Sequence, residues 1–147
     1  MNIMIYWQTK HGEMELVTPS LDQGVILPGI TRESLLTLAR EWDEFVVTER
    51  AITMSEFVKT FDDGRVREGK LFALCTFDLI NVFTETFFVS VFGCGTACVI
   101  CPVKSITYDT RTLDIAPIDK GLATKFRNAL NDLHRVRVKK ENWQVYV

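Results

Sequence analysis

Positive charge is in short supply. Lys and Arg number 17 against 19 Asp and Glu, a net charge of -2 over 147 residues, and the isoelectric point is near 5.7. Without a basic field nothing draws a polyanion, so a nucleic-acid partner is excluded as a reading. Histidine is scarcer still, with two residues, His11 and His134. A zinc site would have to combine these with Cys75, Cys94, Cys98 and Cys101, and no second ligand pair stands at finger-like spacing. No internal repeat and no low-complexity linker break the chain, so one domain is expected, large enough to bury a core. The first residues, Met1 to Trp7, are too short and uncharged for a signal or transit peptide. They read as a strand that begins at once, as if cut from a longer protein. Four cysteines without a secretory leader suggest reduced thiols in a cytosol-like compartment.

What is present is ordinary for a folded domain. Hydrophobic residues make up 47%, and the 10 Phe and 3 Trp argue against disorder. Ile3 to Gln8 is β-rich, Lys10-His11-Gly12 can turn, and Met14 to Thr18 can return as a hairpin. Pro19, Gly24, Pro28 and Gly29 punctuate a loop over 19–30. A helix is predicted from Thr31 to Trp42, with Thr31 as its cap, Glu33 at its positive end and Leu35, Leu38, Ala39 and Trp42 at helical spacing. Phe45 to Thr48 reads as a short strand. Thr53-Met54-Ser55-Glu56 is a capping box for a second helix through Phe61, stopped by Asp62-Asp63-Gly64. Thr96 to Val103 and Leu113 to Ile115 are predicted strands. Asp119 to His134 is a predicted helix with Leu122, Phe126, Leu130 and Leu133 on one face.

One stretch departs from this pattern. Leu71 to Phe92 is nearly all apolar and about as long as a membrane span, roughly 20 residues. Asp78 and Glu85 inside it would each be costly at bilayer depth. A buried or aggregation-prone segment is therefore the expectation, and a membrane span is not.

Two short segments could hold an anion. At Leu27-Pro28-Gly29-Ile30-Thr31 a helix begins, so backbone amides and the helix dipole can meet a phosphate, and the Thr31 hydroxyl can add a bond. At Gly93-Cys94-Gly95-Thr96-Ala97 small residues leave a second set of amides free. Each alone is a common loop, and the pairing is what carries weight. Next to the second turn, Cys98-x-x-Cys101 admits three readings: two thiols without essential chemistry, a regulatory disulfide, or half a metal site.

Several runs, taken in order, resemble branched-chain amino acid aminotransferases, the fold-type IV enzymes that use pyridoxal phosphate. They are Met1-Asn2-Ile3, Glu15-Leu16-Val17-Thr18-Pro19, Gly24 to Arg32, Glu49-Arg50, Ile52-Thr53-Met54, Arg65-Val66-Arg67-Glu68 and Phe92 to Cys98. The Cys-x-x-Cys makes the chain similar to the animal forms. The resemblance implies a mixed α/β (α+β) fold, specifically the back part of a D-amino-acid-aminotransferase-like large domain spanning 1–147. It implies that Leu27 packs on the pyridine ring, that the Ile30 and Thr31 amides and Thr96 bind the cofactor phosphate, and that the Ala97 amide faces the substrate carboxylate. It further implies that Cys98 and Cys101 are the thiol pair that modulates activity. The substrates would be branched-chain amino acids and 2-oxo acids, the assembly a homodimer, and the location mitochondrial or cytoplasmic, with no membrane partner.

The sequence departs from the family in three ways. The Schiff-base lysine of the family lies upstream of Met1, and no lysine here stands at its motif position, so no catalytic residue is assigned. Residues 69–90 have no family counterpart and begin Gly69-Lys70, as a translated intron would. Cys94 replaces the usual serine, and Gln23 is one residue extra. The expected function is branched-chain transamination in the whole enzyme. The alternative is a non-catalytic truncated paralogue that binds a phosphorylated ligand or pairs with an intact subunit.

Overall fold

The computed structural model describes residues 1–63, 90–115, 121–140 and 143. In chain order the elements are β1 (Asn2–Gln8), β2 (Met14–Thr18), a 3-10 turn (Leu21–Gln23), α1 (Ile30–Trp42), β3 (Val46–Glu49), α2 (Met54–Asp62), β4 (Ser90–Cys94), β5 (Ile100–Pro102), β6 (Ser105–Tyr108), β7 (Arg111–Asp114) and α3 (Leu122–His134). The mixed α/β expectation holds.

A five-stranded sheet in the order β3-β2-β1-β4-β5 forms the frame, and β6 and β7 make a separate hairpin. Strand β1 lies antiparallel to both β2 and β4, with Ile5 opposite Val17 and Val91, and Asn2 opposite Cys94. Strands β2 and β3 run parallel, and the crossover that parallel neighbours require contains α1. The β1–β2 turn closes through Gly12, whose φ of 86° suits a residue without Cβ.

The alternation of side chains along the strands divides the core in two. On one face Met4, Leu16, Phe92, Cys94 and Ile100 pack under α1 and α3, through Leu35, Leu36, Ala39, Phe126 and Leu130. On the other face Ile5, Trp7, Val17 and Val91 pack against Phe57 of α2 and against Leu113 and Ile115. The sheet is thus covered on both faces. Val91 and Phe92, the described end of the long apolar run, lie in β4 with at most 1% exposure. Among the described residues no helix is long and apolar enough to cross a membrane. The rest of that run lies outside the described residues, as does the expected insertion at 69–90 except Ser90, which opens β4 opposite Tyr6.

Two expectations need correction. Thr31 does not cap α1. Gly29 takes that place with extended backbone (φ -81°, ψ 136°) and no side-chain cap. The helix starts as soon as the chain leaves Pro28-Gly29, so Thr31 lies within its first turn. Nor is Thr96 to Val103 one strand. Cys94 pairs with Ile100 in an antiparallel turn-back, so the reversal has to occupy 95–99, and only Ile100–Pro102 is extended. Strand β6 was not predicted because Ser105-Ile106-Thr107-Tyr108 has one apolar inward position to signal it. Half of the capping box forms. The Thr53 side chain accepts from the Glu56 amide at 3.1 Å. The reciprocal half is missing because the Glu56 carboxylate turns to Arg50, at 2.9 Å.

Candidate functional site

The two turns expected to hold an anion are linked through Asn2 at one end of the sheet. The register that sets Asn2 opposite Cys94 brings the start of β1 beside the end of β4. Residues 95–97 leave the sheet there. On the α1 side, the Asn2 side-chain amide donates to the Leu27 carbonyl at 3.2 Å. The same carbonyl accepts from the Gly29 amide at 2.9 Å, which folds Leu27-Pro28-Gly29 into a tight turn. This turn draws the Leu27 carbonyl inward and leaves its side chain 80% exposed, beside Ile30 at 86%. The first intrahelical bond of α1 runs from Glu33 to the Gly29 carbonyl. The amides of Ile30, Thr31 and Arg32 precede it and belong to the first turn, which has no acceptor within the helix.

The second turn is equally open. Thr96, Ala97 and Cys98 are exposed, whereas Gly93 and Cys94 are buried. A Cβ at Gly93 would displace the Met1 sulfur, the end of a flexible and exposed side chain. Cys94 sits on the α1 face of the sheet. Burial pushes its thiol above the usual value, and the nearby Arg32 guanidinium opposes that shift. Arg32 is 1% exposed. It donates to the Pro19 carbonyl at 3.0 Å and to Glu49 at 2.5 Å, and its Nε has no partner among the described residues. The site therefore has two open amide turns and a helix start, with the ion pair of Arg32 and Glu49 behind it.

Cys98 and Cys101 are free thiols, the first exposed and the second half-buried. Desolvation, followed by the neighbouring Cys101 thiol, raises Cys98 above its ordinary value, with the charge of Arg127 opposing. Cys98 is thus no preformed thiolate at neutral pH. No cluster of three or more metal-ligating side chains occurs among the described residues. An open hollow lined by Glu13, Met14, Asp43, Glu44, Phe45 and Val46 lies at the far end of the sheet. Its carboxylates make it unfit for a phosphate.

All of the sequence-derived site residues except Cys101 lie in the two turns or at the helix start, at one end of β1. Sequence reasoning missed Asn2 and Arg32 as individual residues. Arg32 gives no pattern signal, being a charged side chain at an inward helical position. Asn2 gives a faint one, a polar residue in phase with the inward Met4.

No family model matches the chain. Individual relatives do. A cytosolic branched-chain-amino-acid aminotransferase of Caenorhabditis elegans is 38% identical over 151 residues, covering 97% of this chain and 31% of the relative. Mitochondrial forms from Rattus norvegicus and Bos taurus are 43% and 46% identical over 88% and 82% of this chain, which cover 28% and 25% of those proteins. The chain thus spans between a quarter and a third of the relatives it matches. A solved fold IV transaminase from Curtobacterium pusillum superposes with a TM-score of 0.52 at 15% identity, covering 92% of this chain and 33% of that one. At that identity the likeness speaks for the fold alone. Over the segment it shares with them, this chain is similar to branched-chain amino acid aminotransferases.

Proposed function

We propose that residues 27–31 and 94–97 are the phosphate-holding part of a pyridoxal-phosphate site. The whole protein would then exchange amino groups between leucine, isoleucine or valine and 2-oxoglutarate. The observation that carries this reading is the convergence of the two amide turns at the Asn2 end of β1. The donor set fits the group. Amides at a helix start and in a glycine-bearing turn suit a dianion, and the helix dipole adds a favourable field. The exposed Leu27 side chain offers an apolar surface for a pyridine ring.

In this reading the Ile30 and Thr31 amides and Thr96 hold the phosphate, Leu27 supports the ring, and the Ala97 amide orients the substrate carboxylate. When bound, pyridoxal phosphate supplies the electron sink that makes the amino-acid α-proton acidic. In the same reading, a disulfide between Cys98, which follows Ala97 in the chain, and Cys101 would alter the Ala97 contact. A mitochondrial or cytosolic location follows the relatives' names, and a homodimer, as the family resemblance implies, belongs to the same proposal.

Ile30→Pro tests the cradle directly. Proline at the first helical position removes one amide donor while suiting the helix, and Gly29 already has the extended backbone that a residue before proline prefers. The expected result is unchanged thermal stability with weaker pyridoxal phosphate binding in a fluorescence titration. A bond to a charged group contributes about 1.5–3 kcal/mol, so the loss is roughly 10- to 150-fold. Equal binding by the variant would overturn the cradle.

A second reading concerns this polypeptide alone, which spans at most 32% of the relatives compared and has no lysine at the family's covalent position. We propose that the isolated 147 residues bind the cofactor without attaching it. Borohydride treatment should give no stoichiometric, site-specific pyridoxyl adduct, and leucine should yield no 2-oxo acid. Turnover by the pure chain would contradict this.

A further inference from the structure

We propose that Asn2 is a positioning residue that couples the two amide turns, so that neither can move without the other. This rests on the cofactor reading for its functional meaning, but its geometry stands apart from it. The Asn2 backbone is hydrogen-bonded into β4 opposite Cys94, the residue from which the second turn departs. Its side-chain amide holds the Leu27 carbonyl at 3.2 Å, at the start of the first turn. The residue is only 7% exposed. A Cβ on Gly29 would stand 3.1 Å from the same Asn2 nitrogen. One side chain therefore bonds the first turn at Leu27 and lies close to the space a Cβ on Gly29 would take, while its own backbone pairs with Cys94, from which the second turn departs. An apolar residue at position 2 would fill the inward site as Met4 does, but it would leave the Leu27 carbonyl free to swing outward. The polar identity of Asn2 is explained by the strut and by nothing in the core.

The coupling can be read without any ligand. Gly29→Ala keeps an allowed backbone and presses its Cβ on the Asn2 amide. In the otherwise unchanged protein, this substitution should shift the NMR amide signals of Gly95, Thr96 and Ala97 as well as those of 26–33. In an Asn2→Ala background the same substitution should shift only 26–33, because the strut that transmits the push is gone. Shifts confined to 26–33 in both backgrounds would overturn the coupling. The functional half is read by titration. Asn2→Ala should weaken pyridoxal phosphate binding by roughly 5- to 10-fold, as expected for one lost hydrogen bond that orders a binding turn. Coupled shifts with unaltered affinity would show a structural strut and reject the positioning role. If the unsubstituted chain binds no pyridoxal phosphate at all, the cofactor reading fails, and the amide shifts still decide the strut. Should Asn2→Ala fail to fold, the Gly29→Ala spectrum alone decides whether the push crosses to 95–97.

Discussion

Glu15→Ala is expected to destabilise the fold by about 3–5 kcal/mol, the usual cost of removing one partner from a buried charged network. The Glu15 carboxylate is 6% exposed and lies on the α2 side of the sheet. It accepts from the Trp7 indole N–H at 2.6 Å and the Thr48 hydroxyl at 2.5 Å, with the Arg50 guanidinium at 3.4–3.5 Å. Alanine would leave the indole N–H, the hydroxyl and the guanidinium without that acceptor, and urea unfolding would read the loss. Arg50 also reaches Glu56 of α2 and lies 5.7 Å from the Trp7 ring centre, so the network ties three strands to a helix. A loss under 1 kcal/mol would show that water replaces the carboxylate easily.

The same group sets an acid limit. Burial alone would raise the Glu15 pKa, but the bonds from Thr48, Trp7 and Arg50 and the charge of Arg50 outweigh it, and the net value is lowered. Glu49 is lowered in the same way, with burial opposed by Arg32 and Arg40. A carboxylate with a lowered folded-state pKa adds stability that is fully present above the unfolded value, about 4.3 for glutamate, and is lost as pH falls through the folded one. Stability should therefore fall below about pH 4. Glu15→Gln, already less stable at neutral pH, should lose less further on acidification. A variant whose acid profile runs parallel to that of the unsubstituted chain would remove Glu15 from the account.

Phe126→Ala should cost a further large amount, about 3–5 kcal/mol in the same unfolding measurement. The Phe126 ring is fully buried. It stacks on Trp42 of α1 at 4.8 Å between centres and meets Phe92 of β4 at 5.9 Å. It therefore joins α1, α3 and the sheet at one point, and its removal leaves a cavity that three separate elements would have to close together. The Lys125 ammonium, 4.2 Å from the Trp42 ring centre, covers the stack from outside and cannot fill that space. A cost near 1 kcal/mol would mean that the helices slide inward.

Much of this architecture was legible in the residues. The spacing of Leu35, Leu38 and Ala39 gave α1, the capping box gave α2, and the β-rich Ile3 to Gln8, the turn at Lys10-His11-Gly12 and the return over Met14 to Thr18 gave the central hairpin to within one residue. The two turns at 27–31 and 93–97 were legible as turns because glycine and a helix start are local features. What failed was non-local. The reversal at 95–99 depends on Cys94 pairing with Ile100, and strand β6 depends on β7. Glu15, Glu49 and Arg50 carried the family resemblance, but their sequence could not say why they are kept together. They meet through space, Glu15 with Arg50 at the β2–β3 pair and Glu49 of β3 with Arg32 of α1. Asn2 was visible only as the second residue of a motif, because the partner that gives it meaning, Leu27, is distant along the chain.

The sheet order has a consequence for biosynthesis. β1 is the central strand, yet one of its two neighbours, β4, follows much later in the chain. At about 5–20 residues per second on a ribosome, several seconds separate the emergence of Gln8 from that of Ser90. Through that interval the nascent hairpin presents an unpaired apolar edge, the kind of surface to which chaperones and other nascent chains adhere.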